Sequence, residues 1–340
     1  MATYYVDPDA DPGGDGTTAG LTGATCAYQS LQAFVTARAG TLSEPITCIC
    51  GSADAAHTAD TTACVVNGFT TTQTNYLEIR TETSGRHAGV WSDSVYRLSV
   101  TDASALTIND DWVRVTGLQI KTTTTTGDGR NGISIASVGV SSFRLSNNLI
   151  QCVRTGGTNV RGINIADATA TVYIWNTIVY GSGGASVGIR QYNQSATYSY
   201  NNTIYGFTNG MEAPTTGSVT VVNCLLANNT NASNGAGAYA AGTGYNATDL
   251  STLNYTVTGG SVGDRVSQVF SFVSAAGGNF HLTASDTGAR GYGMTDPGSG
   301  LFSDDIDGVA RTVSWDIGAD EVAVTADTGA RIIIAPTGFA

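Results

Sequence analysis

The 340-residue chain has a single lysine, Lys121, only six prolines and three methionines, and charged residues make up just 12% of it. An average soluble domain carries about twice that share of charge. A disordered chain is excluded, because disorder needs high charge and low hydrophobicity, whereas 41% of these residues are apolar or aromatic. Long hydrophobic runs are missing too. The apolar residues come in short bursts, so no stretch reaches membrane-spanning length, and a membrane is not an expected partner. Positive charge is scarce enough to leave a net charge of −12, which repels phosphate backbones and argues against nucleic acid. The opening "MATYYVDPDA" shows no basic segment followed by an apolar one, so the expected route is synthesis in the cytoplasm without a Sec signal. None of the six cysteines forms a C-x-x-C pair, which argues against a zinc or redox centre. Buried free thiols are expected, with a disulfide among Cys26, Cys48, Cys50 and Cys64 as the alternative.

What the chain has instead is glycine, 43 residues of it, and an internal repeat. "GISIAS" from Gly132, "GINIAD" from Gly162, "GIRQYN" from Gly188 and "GMEAPT" from Gly210 align with one another. Each precedes a strand-like run containing asparagine: "FRLSNNLIQ", "VYIWNTIVYG", "YSYNNTIYG" and "VTVVNCLLANN". The matched asparagines are Asn148, Asn176, Asn202 and Asn223, spaced by 28, 26 and 21 residues, which is one solenoid turn per repeat. In such a coil alternate side chains point inward, so Ile133 and Ile135 should stack on Ile163 and Ile165. Inward asparagines at a corner would satisfy buried turn groups, and glycines would serve turns with positive φ. Upstream, "YLEIRT", "YRLSV", "ALTI" and "WVRVTGLQI" read as earlier coils.

An open end of a solenoid invites pairing with another chain and needs a lid. Tyr28, Leu31, Phe34 and Val35 in "TCAYQSLQAFVTARAG" have amphipathic helical spacing, ended near Gly40. The order Tyr-Tyr-Val-Asp, "GGDGT" and "AYQSLQAF" resembles the N-terminal signature of right-handed parallel β-helix proteins of the pectate-lyase-like superfamily, of bacterial or bacteriophage type. "NFHLTASDTGARGYG" and "DDIDGVARTVSWDIGADE" resemble their closing coils. The resemblance covers roughly residues 3–322 and implies an all-β, single-stranded right-handed parallel β-helix with an N-terminal capping helix. The strand after the lid departs from the usual Gly-Asp-Thr phrase, with "TLSEPITCIC" in its place. The chain then divides into an opening loop and capping helix (1–40), β-helix coils (41–250), closing coils and a C-terminal cap (251–322), and a docking tail (323–340).

Enzymes of this fold act through an outward stripe of charged residues, with calcium-binding carboxylates and a basic residue for a lyase, or two carboxylates for a hydrolase. The alignment places Ser134, Asn164, Arg190 and Glu212 in one outward row, with Ser137, Asp167, Asn193 and Thr215 in the next. Asp167, Arg190 and Glu212 are the catalytic candidates, and Tyr192 and Asn193 the glycan-binding ones; an exposed ion pair on a polar face is the alternative. Asp7, Asp9, Asp11 and Asp15 are candidate calcium ligands, as are Asp304, Asp305 and Asp307, although aspartate is equally favoured in turns. "NDDW" at Asn109 to Trp112 reads as a turn, and His281 as structural.

Three functions fit. The first is a bacteriophage virion structural protein, a capsid decoration or tail-associated β-helix with glycan-binding capacity, partnered by other virion proteins or by itself as a trimer. The second is a polysaccharide lyase or glycoside hydrolase, and the third an adhesin on a bacterial surface. The first is preferred, because no catalytic constellation stands out and the apolar "RIIIAP" could dock on a neighbour.

Overall fold

The computed structural model describes residues 1–323 except 52–57, 83–84, 137–138, 140, 167–168, 193–195, 214–216 and 235–237. The expected docking tail lies outside the described residues apart from its first position.

The chain is a right-handed parallel β-helix. Three parallel sheets run along it: a first of ten strands from Ala2–Val6 to Thr256–Val257, a second of seven from Arg97–Thr101 to Ala247–Thr248, and a third of seven from Cys64–Val66 to Asn231–Asn234. Through the middle of the chain each coil supplies one strand to each sheet, and inward residues stack in register, Ile133 on Ile163 on Ile189 on Met211. The continuous core this creates is fully buried along its length. All six cysteines are free and buried. Ala2–Val6 pairs with Ile46–Cys50, so the chain's first residues already form a sheet strand, and "TLSEPITCIC" supplies the next. The helix Leu31–Arg38 covers this end. Ser30 caps it by accepting a hydrogen bond from the Ala33 amide, and Leu31, Phe34 and Val35 are buried beneath Tyr4, Tyr28 and Phe69.

The repeat glycines have a different cause from the one expected. Gly132, Gly162, Gly188 and Gly210 lie within strands, stacked coil on coil, and none has a positive φ. A Cβ on Gly162 would sit 2.5 Å from the Gly188 carbonyl oxygen and 2.1 Å from Val179 Cγ1. Close approach of adjacent sheets, rather than backbone conformation, excludes a side chain there.

The asparagines separate into two positions. Between the first and second sheets, Gly117, Asn147, Asn176, Asn201 and Asn223 share the left-handed corner conformation, which asparagine tolerates best after glycine. The next residue points inward. There Asn148, Asn202 and Asn246 recur in every second coil, with Thr177 and Cys224 between them. Asn148 accepts from the Leu118 amide and donates to the Val115 carbonyl, and Asn202 treats Thr177 and Ile174 in the same way. The set Asn148, Asn176, Asn202 and Asn223 thus mixes two adjacent ladders, because coils of unequal length slip an alignment by one residue.

Past Arg265, whose bridge to Ala247 is the last along the coils, the chain adds no further coil. Of the closing coils and C-terminal cap expected over 251–322, the coils run as far as Arg265, and the chain then turns back as a lateral strap over the asparagine corner. The corner amides explain why. Asn147 donates to the Asp305 carbonyl, Asn176 to that of Asp304 and Asn201 to that of Asp316, while Asn223 both donates to and accepts from Met294. Apolar contacts seal it: Phe280 packs on Tyr180 and Tyr205, and Phe302 and Trp315 on Trp175, Tyr200 and Val222. In "DIGADE", Ile317 and Ala319 are buried against the second sheet, and the Glu321 carboxylate meets Arg311.

Candidate functional site: an arginine and aromatic groove on the first sheet

On the third sheet, register pairs Ser134, Asn164, Arg190 and Glu212 across successive coils. Arg190 Nε lies 3.1 Å from Glu212 Oε1, and its guanidinium also covers the Tyr192 ring at 4.3 Å. The charge of Arg190 is therefore already partnered twice. Burial, reinforced by the like charge of Arg190, lowers the pKa of neighbouring Arg161, and Glu212 opposes that shift. Asp167 and Asn193 lie outside the described residues, so the pairing of Asp167 with Glu212 has no geometry to report.

The N-terminal aspartates do not converge. Asp7 accepts from the Asp9 amide, Asp9 from Thr58, and Asp15 from the amide and hydroxyl of Thr17. These are turn contacts, and the Thr17 bonds hold the Asp15 carboxyl below its ordinary range. Asp305 is committed likewise, accepting from Asp307, Val309 and Glu321 amides. Asp110 of "NDDW" caps the Gly68 and Phe69 amides of the previous coil.

The first sheet carries a constellation that the sequence reading passed over. Register aligns Glu78, Arg114, Arg144, Tyr173, Tyr198 and Thr220 in one outward row. A groove of about 280 Å³ opens over this row, lined by Tyr76, Trp112, Arg114, Ser142, Arg144 and Tyr173. Arg114 stacks over the Tyr76 ring at 3.5 Å, and Tyr173 and Tyr198 stack on each other at 5.0 Å with planes 13° apart. Among the described residues neither Arg114 nor Arg144 has a hydrogen bond or salt bridge from its guanidinium to a protein group. Two cations one strand spacing apart, roughly 4.8 Å, repel one another. Burial and the Arg114 charge accordingly lower the pKa of Arg144. Trp112 holds φ at 50°, a left-handed conformation costing a bulky residue about 1–3 kcal/mol. The signal was present in the repeat: Arg144, Tyr173 and Tyr198 each stand three residues before a corner asparagine.

Chemically, this surface offers ten guanidinium N–H donors, a fixed positive field and flat aromatic faces. It suits an extended ligand with regularly spaced carboxylates or sulfates and apolar ring faces. Glu78 is the one carboxylate in the described row, so the carboxylate pair of a hydrolase is not in it.

No protein-family model matches the chain, and no curated protein matches it. Among solved structures it is similar to the crystal structure of pectate lyase Pel9A, with 12% identity, a TM-score of 0.42, and coverage of 94% of this chain and 96% of that one.

Proposed function

We propose that this β-helix binds an anionic polysaccharide along the outer face of its first sheet. The observation that carries the reading is the pair Arg114 and Arg144, on adjacent coils and framed by Tyr76, Trp112 and Tyr173, neither guanidinium having a hydrogen bond or salt bridge among the described residues. Guanidinium forks bind carboxylate or sulfate bidentately, and aromatic faces stack on sugar rings. The stacked pair Tyr173 and Tyr198 extends the platform towards the next coils. Binding is favoured over hydrolysis, because the described row presents cations and aromatics and one carboxylate, Glu78, where a hydrolase would need two. The virion role expected from the sequence is compatible, since a tail-associated β-helix recognising a charged host glycan would use the same groove, and so would an adhesin.

Isothermal titration against polygalacturonate, alginate and a sulfated glycan, with neutral dextran as control, tests this. The expected result is salt-sensitive binding to at least one anionic polymer, none to dextran, and at least a tenfold loss in both Arg114→Ala and Arg144→Ala. Folded protein that ignores every anionic polymer, or binding untouched by both substitutions, overturns it.

A further inference from the structure

The strap brings His281, Asp307 and Asp320 together from three separate segments, and one donor atom of each lies within 4.8 Å of the other two. Among the described residues this is the single such group of three. His281 Nε2 is 2.8 Å from Asp307 Oδ2. On its other side, Asn279 Oδ1 accepts from both the His281 backbone amide, at 3.1 Å, and the ring Nδ1, at 2.7 Å. The backbone amide can only donate, so it fixes which end of the Asn279 amide faces the ring. Nδ1 is then protonated, and Nε2 faces the Asp307 carboxylate at hydrogen-bond distance, a place that a second ring proton or a cation must fill. This is how proteins orient a metal-binding imidazole, with the distal N–H held by a second acceptor.

Two further observations bear on a ligand. Asp320 is only 6% exposed, yet it uses Oδ2 alone, for the Leu282 amide, and among the described residues its Oδ1 accepts no hydrogen bond. Beside the group, Gly89 leaves room that a side chain would take: a Cβ there would lie 2.6 Å from His281 Nε2 and 3.0 Å from Asp307 Oδ1.

We propose that His281, Asp307 and Asp320 bind a divalent first-row cation, with zinc favoured over calcium, which clasps the strap to itself beside the Gly89 loop. One imidazole and two carboxylates suit zinc, whereas calcium takes an all-oxygen shell. Zinc ligands at about 2.0–2.1 Å stand about 3.3 Å from one another, within the spread of these donor atoms. Water completes the shell. The ion would tie the Asn279–Leu282 strand, the turn at Asp307 and the "DIGADE" segment into one unit, and so fix the face that covers the asparagine corner.

The whole chain, dialysed against EDTA and then against chelator-free buffer, is titrated with zinc chloride by calorimetry and followed by thermal unfolding. The expected result is one equivalent bound, a melting temperature that rises with zinc but not with calcium, and loss of at least tenfold in affinity for both Asp307→Asn and Asp320→Asn. Cobalt(II) provides a readout independent of those variants: visible bands of a four- or five-coordinate nitrogen and oxygen site are expected. Absence of zinc binding by the folded wild type, retention of it in both variants, or thiolate-to-cobalt charge-transfer bands pointing to the buried cysteines overturns the proposal.

Discussion

Arg311 and Glu321 form an ion pair at 3.2 Å in which the two side chains are 0% and 2% exposed. The guanidinium also donates to Asn176 Oδ1 and to the Gly318 and Ala319 carbonyls, and Glu321 accepts from Thr312 and Asp316. One arginine thus joins the strap to a solenoid corner. Removing one partner of such a pair leaves an uncompensated buried charge, so Arg311→Met should destabilise the strap by about 3–5 kcal/mol, and Arg311→Met with Glu321→Met should recover part of that. Trp315, whose ring lies 5.3 Å from the Arg311 guanidinium, makes its fluorescence the direct readout in urea titrations. An unchanged midpoint in the single variant would show that the pair contributes nothing net.

The stacked glycines lead to a second expectation. Gly162→Ala must fit a methyl against the Gly188 carbonyl and Val179, both backed by the next coil. Overpacking of this kind costs about 1–3 kcal/mol. Alanine at exposed Gly13, where a Cβ would meet nothing within 4 Å, carries only the strain of its φ of 91°. Denaturant midpoints of the two variants should rank with Gly162→Ala the less stable.

A pH dependence follows from His87. It is 3% exposed, donates from Nε2 to the Asn147 carbonyl, and accepts the Gly89 amide at Nδ1, all of which suit the neutral ring. Burial, with the Arg86 charge beside it, pushes its pKa down to about 4 from the ordinary 6.5. Between those values the unfolded chain binds the proton and the folded one does not. Stability from this residue is therefore complete above about pH 6.5 and is lost as pH falls towards 4, by about 3 kcal/mol in all. Histidine ring titration by NMR should show His87 still neutral at pH 5.5, and His87→Asn should flatten the acid limb of the stability curve.

Legibility followed sequence distance. The coils were readable because inward isoleucines recur once per turn, and the lid because Leu31, Phe34 and Val35 keep helical spacing. The strap was not, since its contacts join residues as far apart as Asn147 and Asp305, and neither segment repeats. The row Ser134, Asn164, Arg190 and Glu212 could be aligned from Gly-Ile alone, but alignment does not reveal that Glu212 neutralises Arg190. The arginine groove was hidden differently. Arg144 and Tyr173 occupy matching positions yet differ in chemistry, so a search for acids and bases passes over them. It takes the register to show that Arg114 and Arg144 stand side by side, without a hydrogen bond or salt bridge from either guanidinium among the described residues.

The two asparagine ladders make the last prediction, because adjacent residues there do different work. Asn202 is fully buried, and it supplies an acceptor to the Thr177 amide and a donor to the Ile174 carbonyl, each at 2.9 Å. Asn202→Ala leaves both groups buried and unpaired, at about 1–3 kcal/mol each. Its neighbour Asn201 has φ at 48° and gives its side chain to the strap at Asp316 and Gly318. Asn201→Gly keeps that corner conformation at no steric cost and gives up the strap bonds together with the one its Oδ1 accepts from Asn223 Nδ2 at 3.2 Å. Calorimetric unfolding should therefore show a larger loss for Asn202→Ala, with the solenoid itself destabilised, than for Asn201→Gly, where Trp315 fluorescence should register a loosened strap over an intact helix. Equal losses at both positions would mean that strap and coil unfold as one unit, and that the corner amides hold the solenoid together as much as the inward ladder does.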